Sequence, residues 1–233
     1  MKSKTGKKHE IAKKTLDSTQ ITTWDAGLDF VVKNKHTKFD ESVDVCVILG
    51  IDASKGEQTV RGSVLLPNGT GKKIKVLVFA RGDHEEAAVK AGADFTGAED
   101  LIEKINGGWL DFNVAVATPD LMGLVGKVAK ILGPRGLLPN NKVGTVTFDV
   151  ASIVSDLKKG RLNYRNDKCG VVHTSFGKVS FGKDKLLENL KVLINAIRAS
   201  KPTTSKGKFI KKIIVSSTMG VGVNLNPDET GLS

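Results

Sequence analysis

Apolar positions along the chain follow two rhythms. Within residues 22–35, Trp24, Leu28, Val31 and Val32 recur at helical spacing, and Asp40 to Ser42 break the pattern. Val43, Val45, Val47 and Leu49 then alternate with Asp44, Cys46 and Ile48 up to Gly50, which predicts a largely buried strand. Residues Val60 to Leu66 predict a second strand, its neighbour.

Pro67-Asn68-Gly69-Thr70-Gly71 is a cluster of turn formers, and the texture changes beyond it. Strands are predicted at Ile74 to Ala80, near Asp94 and Phe95, at Asn113 to Ala117 and at Thr145 to Phe148. Helices are predicted between them, from Asp83 to about Ala91, Ala98 to Ile105, Pro119 to about Leu132 and Val150 to Lys159. This alternation predicts a parallel sheet flanked by helices. After Gly160, two strand pieces flank Gly170 and one helix runs from Lys183 to about Ala199. A last strand spans Phe209 to Ser216, and Pro227 to Ser233 reads as a loose tail. The expected fold class is α/β with two domains. If both chain ends fold together, one is a discontinuous α+β domain from residues 1–68 plus 161–233, and the other is a Rossmann-like α/β domain inserted at 69–160.

Charge supports that division. The 36 Lys and Arg against 25 Asp and Glu give a net charge of +11, so an anionic partner is expected. Residues 69–160 carry only +1, whereas the flanks 1–68 and 161–233 carry +2 and +8. If the flanks fold together, nearly all of the positive field lies on one domain. No apolar run approaches the roughly 20 residues that span a bilayer, so no membrane partner is expected. The Lys-rich stretch Met1 to Lys14 lacks the apolar core of a secretory signal. Two distant cysteines, Cys46 and Cys169, fit a reducing cytoplasm.

Catalytic patterns are absent. The nearest approach to a P-loop is Gly126-Lys127, and its required upstream glycine is Leu121. No dinucleotide fingerprint accompanies the α/β segment, so no cofactor is expected. His9, His36, His84 and His173 share no metal-ligand spacing, and the pair Cys169 and His173 does not make a closed site. Asp83, Glu85 and Glu86 fall where a helix begins and complement its dipole. Gly133 to Asn141 is too rich in breakers for helix or strand. It reads as a rigid loop or as a place where Arg135 and Lys142 meet an anion. Phe39, entering a strand, is on composition a core residue, since apolar side chains at element ends usually pack inward. Thr218-Met219-Gly220 after a strand is either a plain turn or backbone that a ligand approaches closely.

Several motifs together resemble the ribosomal protein L-one family, the protein of the mobile side stalk of the large subunit. They are Lys38-Phe39-Asp40-Glu41-Ser42, Val60-Arg61-Gly62 to Leu66-Pro67-Asn68-Gly69, and Ile131 to Asn140. Further along they are Gly160-Arg161, Tyr164-Arg165-Asn166-Asp167-Lys168, His173, Gly177-Lys178 and Ser217-Thr218-Met219-Gly220. The resemblance covers essentially the whole chain. It implies a non-enzymatic, cytoplasmic, ribosome-bound protein, a monomer when free, whose split domain grips folded large-subunit ribosomal RNA. The implied contacts are Lys38, Phe39 and Ser42 on one side and Ser217, Thr218, Met219 and Gly220 on the other, together with Arg165, Asp167 and Lys168. Exit-site tRNA and the protein's own messenger RNA leader are further implied partners, with hinges near Pro67 to Gly71 and near Gly160. Val221 departs from the family, which usually has proline there. The competing classes are a basic α/β RNA-processing enzyme and a free-standing RNA chaperone.

Overall fold

The computed structural model describes residues 6–16, 21–35, 37–53, 55–205 and 207–229. In chain order these form α1 (Lys7–Thr15), α2 (Trp24–Lys33), β1 (Ser42–Leu49), β2 (Arg61–Leu65), β3 (Val76–Phe79), α3 (Asp83–Lys90), β4 (Phe95–Gly97), α4 (Glu99–Asn106) and β5 (Val114–Ala117). The short helices α5 (Met122–Val125) and α6 (Ala129–Leu132) follow, then α7 (Val150–Lys159), β6 (Arg161–Arg165), β7 (Val171–Lys178), α8 (Lys183–Ala199), β8 (Ile210–Ser217) and β9 (Val223–Leu225). Contacts divide the chain into two compact units, Met1–Gly71 with Leu162–Ser233, and Lys72–Arg161.

In the first unit, four antiparallel strands lie in the order β7-β1-β8-β9. Every second residue of β1, Val43, Val45, Val47 and Leu49, is buried. That face packs against α2 and α8. Helix α8 presents Leu186, Asn189, Leu190, Leu193, Ile194 and Ile197, a stripe at helical spacing, and burying each apolar member is worth about 1.5–3 kcal/mol. Helix α2 starts at Thr23, whose hydroxyl accepts the Ala26 amide. A Cβ at Gly27 would stand 2.3 Å from Leu225 Cδ2, so glycine there lets α2 lie close against β9.

In the second unit the parallel sheet β4-β3-β5 is covered on both faces. Val76 and Val78 face Ala88 of α3 and Val150, Val154 and Leu157 of α7. Leu77 and Phe79 face Leu101 and Ile105 of α4 together with Leu121, Val125 and Leu132. Because both faces are covered, all four residues of β3 are apolar and buried.

Several expectations need correction. Strand β2 pairs with β6 in a separate two-stranded sheet, and both neighbours of β1 come from the far end of the chain. The helix expected over Pro119 to Leu132 is a series of alternating 3-10 and α turns. Its buried stripe Leu121, Val125, Val128 and Leu132 survives, but Gly123 and Gly126 each weaken helix by about 1 kcal/mol. The strand expected at Thr145 to Phe148 is reduced to a single parallel bridge between Val146 and Ala117. Strand β9 and helix α1 had no counterpart in the pattern. Pro227 to Glu229 is no loose tail: Pro227 is buried, its carbonyl accepts from Arg198 at 2.7 Å, and Glu229 Oε2 accepts the Trp24 amide at 3.0 Å. Residues 230–233 of that segment lie outside the described ones. Gly133 to Asn140 forms the expected loop, with Arg135 exposed.

Candidate nucleic-acid interface

The register of the four-stranded sheet decides which of the expected contact residues meet. Ser217 pairs with Val43, so the loop entering β1 and the turn leaving β8 lie side by side. The Thr218 amide donates to the Ser42 carbonyl at 3.0 Å, and the Ser42 amide donates to Thr218 Oγ1 at 3.0 Å. The Thr218 hydroxyl donates in turn to the Ser42 carbonyl at 3.3 Å. Lys38, Phe39, Thr218 and Met219 are exposed on this edge, Ser42 and Gly220 are half-buried, and Ser217 is buried beneath the turn. A Cβ at Gly220 would stand 2.4 Å from Ser217 Oγ, so any larger residue there would have to turn the Ser217 hydroxyl aside. The core place that composition favours for Phe39 is overturned, because its side chain is exposed.

Asp40 braces the loop from outside. Its carboxylate accepts the Ser180 hydroxyl at 2.7 Å and the Ser180 amide at 3.2 Å. The hydroxyl bond is the main cause of a carboxyl held below its ordinary value.

Arg165, Asp167 and Lys168 occupy the other end of β1. Ile48 pairs with Val171 and Ser42 with Lys178, so the eight-residue strand holds the two groups roughly 24 Å apart at about 3.4 Å per residue. Asp167 organises a tight turn there, with Oδ1 accepting the Cys169 and Val171 amides at 2.8 Å each. The Val171 amide is the main cause of its lowered pKa. Arg165 and Lys168 stand exposed at the rim of a shallow hollow of about 510 Å³ that also takes in Thr59, Asn166 and His173. Burial lowers the pKa of Arg61, and the charge of nearby Arg165 lowers it further.

Between the two ends lies the open face of the sheet, which sequence reasoning did not assign. Asp44 accepts a hydrogen bond from Ser175, Cys46 pairs with His173, and Ser216 and Ile214 of β8 complete a second hollow of about 430 Å³. The signal was available in the polar positions Ser42 and Asp44, which alternate with the buried valines of β1. This face, polar at Asp44, His173, Ser175 and Ser216 and apolar at Ile214, lies between the two basic ends.

Among the described residues no group of three His, Cys, Asp or Glu side chains is placed to hold a metal ion, and His36 lies outside them. No described helix is long and apolar enough to cross a membrane.

The Ribosomal protein L1p/L10e family model matches residues 31–221. The chain belongs to this family. It is also 52% identical, over 96% of each chain, to the large ribosomal subunit protein uL1 of Desulfosudis oleivorans. Family membership makes the chain a ribosomal protein rather than an enzyme and places it in the cytoplasm with the ribosome. The family match ends one residue beyond Gly220, so it takes in both basic ends and the open face between them.

Proposed function

We propose that this protein is a constituent of the large ribosomal subunit that binds folded large-subunit ribosomal RNA at the mobile side stalk. The observation that carries the reading is the meeting of Lys38, Phe39 and Ser42 with Thr218, Met219 and Gly220 at one edge of an open polar sheet face. Duplex RNA hides its bases in a deep groove and is read through shape, 2′-hydroxyls and splayed nucleotides. Small hydroxyls, close backbone approach and two exposed apolar side chains suit that task. Lys38, Arg165 and Lys168 add attraction to phosphate that salt weakens.

In this reading the compact unit of Met1–Gly71 with Leu162–Ser233 is the RNA-binding domain and Lys72–Arg161 is the inserted one. The protein, a monomer when free, assists release of deacylated tRNA from the exit site. It also represses its own message by binding the leader through the same surface. Sucrose-gradient sedimentation tests the first part: the protein should comigrate with large subunits, and migration apart from them would sink it. Excess stalk ribosomal RNA should strip the protein from its leader message, and independent occupancy of both RNAs would contradict a shared surface.

A further inference from the structure

The segment from Thr37 to Ser42 reverses the usual burial order. Glu41 is 0% exposed, while Phe39, two positions earlier, and Met219, beside it in space, are each 54% exposed. Folding stability alone favours the opposite, since Phe and Met are among the side chains most often buried and Glu among those least often. Removing a carboxylate from water is costly unless hydrogen bonds replace the lost hydration. Here they do. Glu41 Oε1 accepts the Thr37 hydroxyl at 2.6 Å, and Oε2 accepts the Met219 amide at 3.1 Å across 178 positions of sequence. Its carbonyl accepts the Val179 amide at 2.9 Å. One side chain thus fastens the loop that carries Lys38 and Phe39 to the turn that carries Met219, from beneath.

Charge complementarity does not account for this placement. A carboxylate just under a polyanion-binding edge opposes the attraction that the lysines supply. Its hydrogen bonds do account for it. Two exposed apolar side chains from distant parts of the chain otherwise lose rotational freedom only when RNA binds, which weakens binding.

We propose that Glu41 is a positioning residue of the RNA interface. Its buried carboxylate holds Phe39 and Met219 in their receiving orientation without touching RNA. The inference rests on the RNA reading above.

The test compares the full-length wild type, Glu41→Ala and Glu41→Gln. Affinity is read with a transcript of the stalk segment of large-subunit ribosomal RNA at several salt concentrations, and amide hydrogen exchange is read without RNA. Glutamine keeps both links, since its carbonyl oxygen accepts the Met219 amide. Its amide donates to the Thr37 hydroxyl, which lies 3.1 Å from the Phe39 carbonyl and can turn its own proton there. Glu41→Gln should therefore bind within about threefold of wild type. Glu41→Ala should bind at least about tenfold more weakly with an unchanged salt slope, and the Met219 amide should exchange faster while the Val45 and Val215 amides do not. Wild-type affinity in Glu41→Ala would overturn the inference alone. So would faster exchange throughout the sheet, which marks a merely structural role, or markedly tighter binding by Glu41→Gln, which marks simple charge repulsion. A wild-type chain that fails to bind the transcript would overturn the RNA reading itself, and this inference with it.

Discussion

Ser42 and Thr218, 176 positions apart in the chain, exchange three hydrogen bonds where the central strand begins. The hydroxyl of Thr218 both accepts from and donates to Ser42, so it serves the fold whether or not it also meets RNA. Thr218→Val keeps the shape and removes the hydroxyl. It should cost about 1 kcal/mol of stability through the lost hydrogen bonds and weaken stalk RNA binding by about 1–3 kcal/mol. Paired thermal melts and RNA titrations check this, and unchanged affinity would remove Thr218 from the interface.

Phe39 provides a cleaner separation of folding from binding. Its side chain is exposed, so Phe39→Ala should shift stability by no more than about 0.5 kcal/mol while weakening RNA binding by about 1–3 kcal/mol. A large drop in melting temperature would restore the core place that composition alone favours.

Phe39 also marks where the sequence stops being legible. The alternation of Val43 to Leu49 identified the central strand, and the helical stripe of α8 stood out because local burial imprints a local period. Partners leave no such imprint. Val60 to Leu66 comes next in sequence but pairs elsewhere, whereas β7 and β8 flank β1 from more than a hundred residues away. Exposure is also lost, because an apolar residue at an exposed edge resembles in sequence one placed in the core. The family resemblance supplied the contact residues, and the period of β1 alone could not join them. The polar alternation at Ser42 and Asp44 held the open face in plain view, but only the register with Ser175 and Ser216 made it a surface.

Lys38 and Lys168 lie at opposite ends of β1, so their contributions should be independent. Lys38→Ala and Lys168→Ala should each reduce the slope of log affinity against log salt by up to about 1 if each meets one phosphate. The double substitution should give the sum. A slope unaffected by Lys168→Ala would confine the RNA to the Ser42 end.

Asp40 predicts a pH response with a definite sign. Hydrogen bonding from Ser180 lowers its carboxyl below the ordinary 3.8, so its contribution to stability is present above that value and is lost as pH falls through the lower folded value. Bracing of the loop should therefore be constant from pH 8 to pH 5. Ser180→Ala should move the Asp40 midpoint up toward 3.8 in a carboxyl-carbon NMR titration. An unmoved midpoint would show that the neighbouring charges of Lys35 and Lys178 set it instead.

The antiparallel sheet also fixes an order of events during synthesis. Asp44 emerges 131 residues before Ser175, and Ser42 emerges 176 residues before Thr218. At roughly 5–20 residues per second, the second interval is about 9–35 s. Until β7 is made β1 lacks both of its strand neighbours, and for the rest of the interval it still lacks β8. The contiguous unit Lys72–Arg161 finds its sheet partners within its own span and is made entirely within that wait. The edge formed by Ser42 and Thr218 therefore cannot close until the contiguous unit between them has been made in full.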